Sequence, residues 1–192
     1  MTSDGGAGRL GHMPETPPST GRALDLPPPW AAPATVVFTL LFPGTVVGLV
    51  PWWLSGFAIG PPLFGSEFSR IAGIGLIAAG LVGLTRFLVR FVREGHGTPA
   101  PILPPSRLVV GGVFRHSRNP GYVAVVSILL GETLALPSTA VLGWAACVAA
   151  GFHLFGVLYE EPDLRPRFGP AYEEDCRTVP RWLPRLGRRP RP

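Results

Sequence analysis

The chain has few charged residues and few cysteines for its length. Of 192 residues only 15% are charged, whereas about 25% are charged in an ordinary soluble domain, and 46% are hydrophobic. Lysine and glutamine are missing altogether. All 17 basic residues are arginine. We interpret the use of arginine in place of lysine as a coding bias and attach no function to it. A composition this poor in charge indicates a membrane protein.

Further absences exclude several classes of site. The two cysteines, Cys147 and Cys176, form neither a disulfide framework nor the paired spacing of a zinc site, so we expect no metal. Aromatic residues are not interleaved with the arginines as a nucleic-acid platform requires, so the net charge of +5 fits a membrane surface better than nucleic acid. The sequence has no GxGxxG motif following a strand, which argues against a Rossmann-type pocket.

The apolar residues fall into stretches that predict an all-α polytopic membrane protein with about four transmembrane helices. The predicted spans cover residues 34–54, 70–92, 120–136 and 139–159. Pro43 and Pro51 lie in the first span, where lipid-embedded helices tolerate kinks. Pro137 and Ser138 separate the last two spans, which we expect to form a C-terminal helical hairpin. Pro162 is expected to end the fourth helix.

The domain organisation follows from composition. Residues 1–30 are rich in Gly, Pro, Ser and Thr and predict a disordered leader, and residues 31–192 form one membrane domain with a cytoplasmic tail at 160–192. Arginines concentrate in the loop after the second span and in the tail. The positive-inside rule therefore places both termini in the cytoplasm, with the protein integral to the plasma or inner membrane.

Two polar segments flank the predicted hairpin, at residues 115–122 (RHSRNPGY) and 159–165 (YEEPDLR). A hairpin returns to the side from which it starts, so these segments should meet. Asn119 before Pro120 is a good helix start, because its side chain can cap the first amides. The adjacent carboxylates of Glu160 and Glu161 repel each other and face the negative end of the helix dipole, so they need an arginine or a polar ligand.

Two interpretations of the glutamates remain open at this point. In the first, Glu160 and Glu161 pair with arginines at the surface; the candidates are Arg115, Arg118 and Arg165. In the second, the two polar segments form a binding or catalytic site at the cytoplasmic end of the hairpin.

The same residues carry a resemblance to a known family. The run SRLVVGGVFRHSRNPGY, a short hairpin, and then EEPDLRPRFGPAYEEDCRTVPRWLP resemble the isoprenylcysteine carboxyl methyltransferase family and its phospholipid methyltransferase relatives. The similarity covers about residues 70–185 and is strongest at 95–184. Its elements are an R(H/N)PxY motif, an EExxL motif and an FGxxYxxY-like tail, and their order and spacing carry more weight than any one of them.

This resemblance implies a membrane-embedded methyltransferase that uses S-adenosylmethionine, held at the cytoplasmic face. The implied methyl acceptor is lipophilic and enters from the bilayer; it presents a carboxylate or an amine on an isoprenoid- or phospholipid-like molecule. Carried over by motif position, the implied cofactor contacts are Ser106, Arg107, Leu108, Val109, Phe114, Asn119, Pro120, Gly121, Tyr122, Glu160 and Glu161.

The chain departs from the prenylcysteine members of the family at two positions. Those members usually have His where this chain has Asn119, and they carry an arginine that engages the acceptor carboxylate where this chain has Gly156. The implied fold and cofactor are unaffected by these changes. A prenylcysteine substrate is not supported.

The implied reaction is an in-line displacement at a sulfonium methyl group, which requires positioning and no metal. Transfer to an amine or a hydroxyl also needs a general base. The candidate catalytic residues are Glu160 and His153, which lie seven residues apart and so on nearly the same helix face. Glu132, inside the third span, is either functional or turned to water near Pro137.

Two other functions compete with a methyltransferase. Sterol-type NADPH-dependent membrane reductases resemble the family in their C-terminal region, but the chain leaves no separate room for a dinucleotide. A non-enzymatic membrane scaffold would not need Asn119, Tyr122 and the glutamate pair. The expected partners are therefore the membrane and a lipophilic small molecule, with no nucleic acid.

Overall fold

The computed structural model describes residues 29–56, 60, 66–95, 112–136 and 138–183. Within these ranges the regular structure is helical and contains no strand, so the all-α prediction is confirmed. The helices are α1 (Ala31–Leu41), α2 (Val50–Leu54), α3 (Glu67–Arg90), α4 (Pro120–Ala135), α5 (Thr139–Phe155) and α6 (Glu161–Thr178). The predicted leader, but for residues 29 and 30, and the segment 96–111 lie outside the described residues.

The described helices confirm a polytopic membrane protein. Three continuous helical stretches are long and apolar enough to cross a bilayer: Ala31–Leu54, Glu67–Glu94 and Thr139–Thr178. The predicted third span corresponds to α4, an apolar helix of only 16 residues. At 1.5 Å per residue α4 is about 24 Å long, against about 30 Å of hydrocarbon, so it is the shortest of the predicted spans.

Glycines allow α3 and α4 to pack closely. A Cβ atom placed on Gly73 would lie 2.6 Å from the carbonyl oxygen of Gly131, and one on Gly131 would lie 2.6 Å from the carbonyl oxygen of Gly73. Small residues at such crossings let two backbones approach within van der Waals distance, which stabilises helix pairs in membranes. The core forms beside this contact and includes the buried side chains of Leu84, Ile128 and Leu129.

Two π-helical turns lie beside prolines and keep the helices continuous. The turn Thr45–Leu49 precedes Pro51, and its final bond runs from the Val50 N–H to the Thr45 carbonyl, five residues back. The turn Gly156–Glu160 precedes Pro162 and closes in the same way. A proline lacks the N–H for an α-helical bond, and a wider turn before it accommodates that loss.

The expectation that Pro162 ends the fourth helix is wrong. Because the π turn Gly156–Glu160 has already shifted the hydrogen-bond ladder, Pro162 falls at the start of α6, where a missing N–H costs little. The helix continues to Thr178, with a kink at Gly169. That glycine has φ +50° and ψ −131°, a conformation that L side chains rarely adopt.

Candidate active site at the base of the hairpin

Helices α4 and α5 form the predicted hairpin and bring its two polar segments together. Ser138 caps α5, where its hydroxyl accepts a hydrogen bond from the Val141 N–H at 3.4 Å. Asn119 lies at the N-cap of α4 and Pro120 at the first helical position, as predicted. The Asn119 side chain, however, makes no capping bond, so that part of the prediction is wrong. It lies instead beside Gly156, whose added Cβ would be 3.5 Å from Asn119 Nδ2.

A hydrogen bond from Tyr122 to Glu160 joins the two segments. The Tyr122 hydroxyl donates to Glu160 Oε1 at 2.7 Å. The Tyr122 ring stacks on Phe152, with centroids 4.2 Å apart and planes 10° apart. Stacking of this kind fixes the ring and thereby the direction of its hydroxyl. Glu160 is therefore held by a partner on the opposite helix of the hairpin.

The surroundings of Glu160 raise the pKa of its carboxyl. Glu160 follows directly on the predicted fourth span, residues 139–159. Burial raises the pKa of the Glu160 carboxyl above its ordinary value, the hydrogen bond from Tyr122 lowers it, and the charge of Glu161 raises it. The net shift is upward, so the ionised carboxylate is under-compensated in the protein alone.

Glu161 has an environment of a different kind. Its Oε1 atom forms ion pairs with the guanidinium groups of two arginines, Arg118 at 3.2 Å and Arg181 at 2.7 Å. Pairing with an arginine, one of the two interpretations drawn from the sequence, therefore applies to Glu161 and Arg118. It does not apply to Glu160, which bonds Tyr122 instead. Arg181 was missed by sequence reasoning, because it lies 20 residues along the chain and no local pattern connects it to Glu161.

The segment Val179–Leu183, which we call the tail strap, runs back against the start of α4. The Arg118 N–H donates to the Pro180 carbonyl at 2.9 Å, and Arg118 Nε donates to the Val179 carbonyl at 3.2 Å. The hydroxyl of Ser117 donates to the Arg181 carbonyl at 2.8 Å. Three successive carbonyl groups of the tail strap are thus bound by two residues that immediately precede Asn119.

The side chain of Trp182 extends the aromatic cluster around Tyr122. The Trp182 ring lies 6.2 Å from the rings of both Tyr122 and His153, and its Nε1 donates to His153 Nδ1 at 3.3 Å. His153 Nδ1 therefore acts as an acceptor, which places the proton of the neutral ring on Nε2. His153 itself is exposed. Its neighbour Phe152 stacks on the ring of Tyr122, whose hydroxyl bonds Glu160.

The other predicted contact residues have different surroundings. Phe114 packs against Phe87, with ring centroids 5.6 Å apart, and an added Cβ on Gly121 would lie 2.9 Å from the same Phe87 ring. Pro120 is buried at the start of α4. Glu132 lies near the opposite end of α4, where one carboxylate oxygen is buried without a hydrogen-bond partner among the described residues. The predicted contacts Ser106, Arg107, Leu108 and Val109 lie outside the described residues.

These observations define a helical membrane protein with a polar, partly buried site where two helices of a hairpin converge. The sequence model of the phospholipid methyltransferase family matches residues 68–171, more than half of the chain. The chain belongs to this family and is a membrane methyltransferase. The match includes Asn119, Tyr122 and both glutamates but ends before the tail strap. Searches of the curated proteins and of the solved structures give no match.

Proposed function

We propose that the protein transfers a methyl group from S-adenosylmethionine to a lipophilic acceptor that enters from the bilayer. The observation that carries this proposal is the convergence of Asn119, Tyr122 and Glu160, which come from the two polar segments and meet at one end of the hairpin. The family match supports the reaction type, and the apolar helices support the origin of the acceptor.

The residues present fit a cofactor that carries positively charged groups. Glu160 is a partly buried carboxylate with a raised pKa and no arginine partner among the described residues, so a positive ligand would offset its desolvation. Asn119 offers both a donor and an acceptor beside it. S-adenosylmethionine supplies an electrophilic methyl group on a sulfonium. We propose that Glu160 and Asn119 hold this cofactor, together with the other contacts implied by the family motifs; Glu161, whose carboxylate is paired with Arg118 and Arg181, supports them from beside the site.

We further propose that Glu160 is the general base when the acceptor is an amine. A carboxylate with a raised pKa accepts a proton near neutral pH more readily than an ordinary one, and the Tyr122 hydroxyl fixes its orientation. His153 is the second candidate; its basic nitrogen, Nδ1, is occupied by the hydrogen bond from Trp182, which favours Glu160. Gly156, which lies beside Glu160, has no cationic side chain that would bind an acceptor carboxylate. We therefore favour an amine on a phospholipid-like molecule as the acceptor.

The proposed location is the cytoplasmic face of the plasma or inner membrane, with both termini in the cytoplasm. The support is the arginine content of the segments around the site, which include Arg115, Arg118, Arg165 and Arg181.

The direct test is calorimetric binding of S-adenosylmethionine to the detergent-purified protein. We expect binding by the parent and a loss of at least about tenfold in Glu160→Ala and in Asn119→Ala, since each removes a polar contact. Glu173→Ala, which removes an exposed glutamate of α6, is the matched control and should bind like the parent. A parent that does not bind contradicts the proposal. A thermal shift with NADPH would then support a reductase. The absence of binding to both S-adenosylmethionine and NADPH would support a scaffold.

A further inference from the structure

The ion pairs of Glu161 tie three parts of the chain together. Arg118 precedes α4, Glu161 begins α6, and Arg181 lies in the tail strap. Their side chains are only 12%, 15% and 28% exposed, respectively. Pairs this shielded are screened weakly by salt, and removal of one partner leaves a charge that water solvates poorly. The cluster therefore resists separation of the three segments.

Arg118 and Glu161 are each the sequence neighbour of a proposed cofactor contact. Arg118 is bonded covalently to Asn119, and Glu161 to Glu160. A displacement of Arg118 relative to Glu161 would accordingly change the separation of Asn119 and Glu160. Neither Arg118 nor Glu161 needs to touch the cofactor for this effect.

The tail strap supplies the remaining contacts that hold this arrangement. Its carbonyl groups bind Ser117 and Arg118, its Arg181 binds Glu161, and its Trp182 packs beside Tyr122. The tail strap thus touches the start of α4 and the start of α6 at the same time. Without it, the separation of the two polar segments would depend on the hairpin, the bond between Tyr122 and Glu160 and the ion pair of Arg118 with Glu161.

We propose that Arg181 and Trp182 are positioning residues for the cofactor site, acting through Glu161 and Tyr122. This inference rests on the proposed function. It predicts that weakening the tail strap lowers the affinity for S-adenosylmethionine and raises its KM; because Glu160 is also the proposed general base, kcat with an amine acceptor falls as well. The reason is that a displacement of about 1 Å in a positioned group, caused by a change far from the chemistry, costs up to about 100-fold.

The experiment compares Arg181→Gln with Arg177→Gln by calorimetry in detergent, with thermal unfolding measured on the same samples. Arg177 is the matched control, because it is an exposed arginine that pairs with Glu174 on its own helix. We expect Kd for S-adenosylmethionine to rise about tenfold in Arg181→Gln and by less than about twofold in Arg177→Gln. Arg181→Lys should restore part of the loss, since it keeps the charge but not the planar guanidinium.

A double-mutant cycle tests the route through Glu161. If Arg181 acts through Glu161, then Glu161→Gln combined with Arg181→Gln binds no more weakly than Glu161→Gln alone. Fully additive losses would contradict that route. Trp182→Phe leaves the ion pairs intact and gives a second measurement should Arg181→Gln fail to fold; a Kd equal to that of the parent would then overturn the inference.

The outcomes separate this inference from the function on which it rests. A parent that does not bind S-adenosylmethionine overturns both. A parent that binds, together with a folded Arg181→Gln that binds equally well, overturns the positioning role alone. A selective rise in Kd and KM with folding intact supports both.

Discussion

Two adjacent glutamates acquire different properties from their partners. Glu161 is bound by two arginines, whereas Glu160 receives one neutral hydroxyl and is desolvated. Ion pairing stabilises a carboxylate and desolvation destabilises it, so the charge of Glu161 is compensated within the protein and that of Glu160 is not. Of the pair, Glu160 is therefore the residue with capacity left for a ligand or a proton.

We predict that Tyr122→Phe shifts the pH dependence of cofactor binding. The variant keeps the ring but removes the donor that lowers the pKa of Glu160, so that pKa rises further. Since a cationic cofactor is bound by the ionised carboxylate, the loss of affinity on acidification should begin at a higher pH than in the parent. Calorimetric titrations of S-adenosylmethionine across a pH series measure this shift, and coincident profiles would contradict it.

The same substitution should change stability in a defined direction. A carboxyl whose pKa is raised by folding binds its proton more tightly in the native state, so the free energy of unfolding falls as pH rises through the interval between the unfolded and the folded pKa. In Tyr122→Phe this interval extends to higher pH. We also expect a loss of about 1–3 kcal/mol at neutral pH, because a buried carboxylate loses its donor. Denaturant unfolding at several pH values is the measurement.

We predict that the site tolerates Gly156→Ala but not Gly156→Leu. An added Cβ would lie 3.5 Å from Asn119 Nδ2 and 3.8 Å from Glu160 Oε2, which are ordinary contact distances. The larger side chain of leucine would occupy the space between these two groups. Gly156→Ala should therefore bind S-adenosylmethionine like the parent and Gly156→Leu should not, with both proteins folded. Equal binding by the two variants would show that the cofactor lies elsewhere.

Sequence reasoning could predict the meeting of Asn119, Tyr122 and Glu160 because it required only the hairpin topology. The roles of individual side chains were harder to predict. Asn119 turns to Gly156 instead of capping α4, and Arg181 binds Glu161 from 20 residues away. Both outcomes depend on tertiary contacts between segments, which leave no periodic signal in the sequence.

At the scale of elements, the wrong prediction concerned Pro162. The pattern around Pro162 indicates a helix end, since proline cannot donate the ladder bond. The π turn Gly156–Glu160 precedes it and lets the helix continue. The apolar spans themselves were predictable, because membrane helices must satisfy their own backbone and therefore show long hydrophobic runs.

We predict that Gly73→Ala destabilises the pair formed by α3 and α4. The added methyl group would lie 2.6 Å from the Gly131 carbonyl oxygen and 2.8 Å from the Ala135 nitrogen, so the helices must separate. A cost of about 1–3 kcal/mol is typical of such overpacking. Gly75→Ala on the same helix is the control, because nothing lies within 4 Å of its added Cβ. Unfolding by SDS titration should shift for Gly73→Ala only; equal shifts would contradict the close contact.

At the scale of the whole molecule, the short helix α4 determines the topology. Four crossings place both termini on one side of the membrane, whereas three place them on opposite sides. We predict that reporters fused to either end both give cytoplasmic signals, as the arginine distribution indicates. Phosphatase and fluorescent-protein fusions at each end are the measurement. Opposite signals would mean that α4 with its 16 residues does not cross.

The unequal lengths of α3 and α4 have a consequence for lipid handling. Gly121, at the start of α4, lies against Phe87, while α3 and its following turn continue seven residues further to Glu94, roughly 10 Å at helical rise. The start of α4 therefore lies below the end of the neighbouring helical stretch Glu67–Glu94. The lipid acceptor that we propose would at this depth keep its acyl chains in hydrocarbon, and would so avoid an extraction cost of about 0.8 kcal/mol for every methylene group.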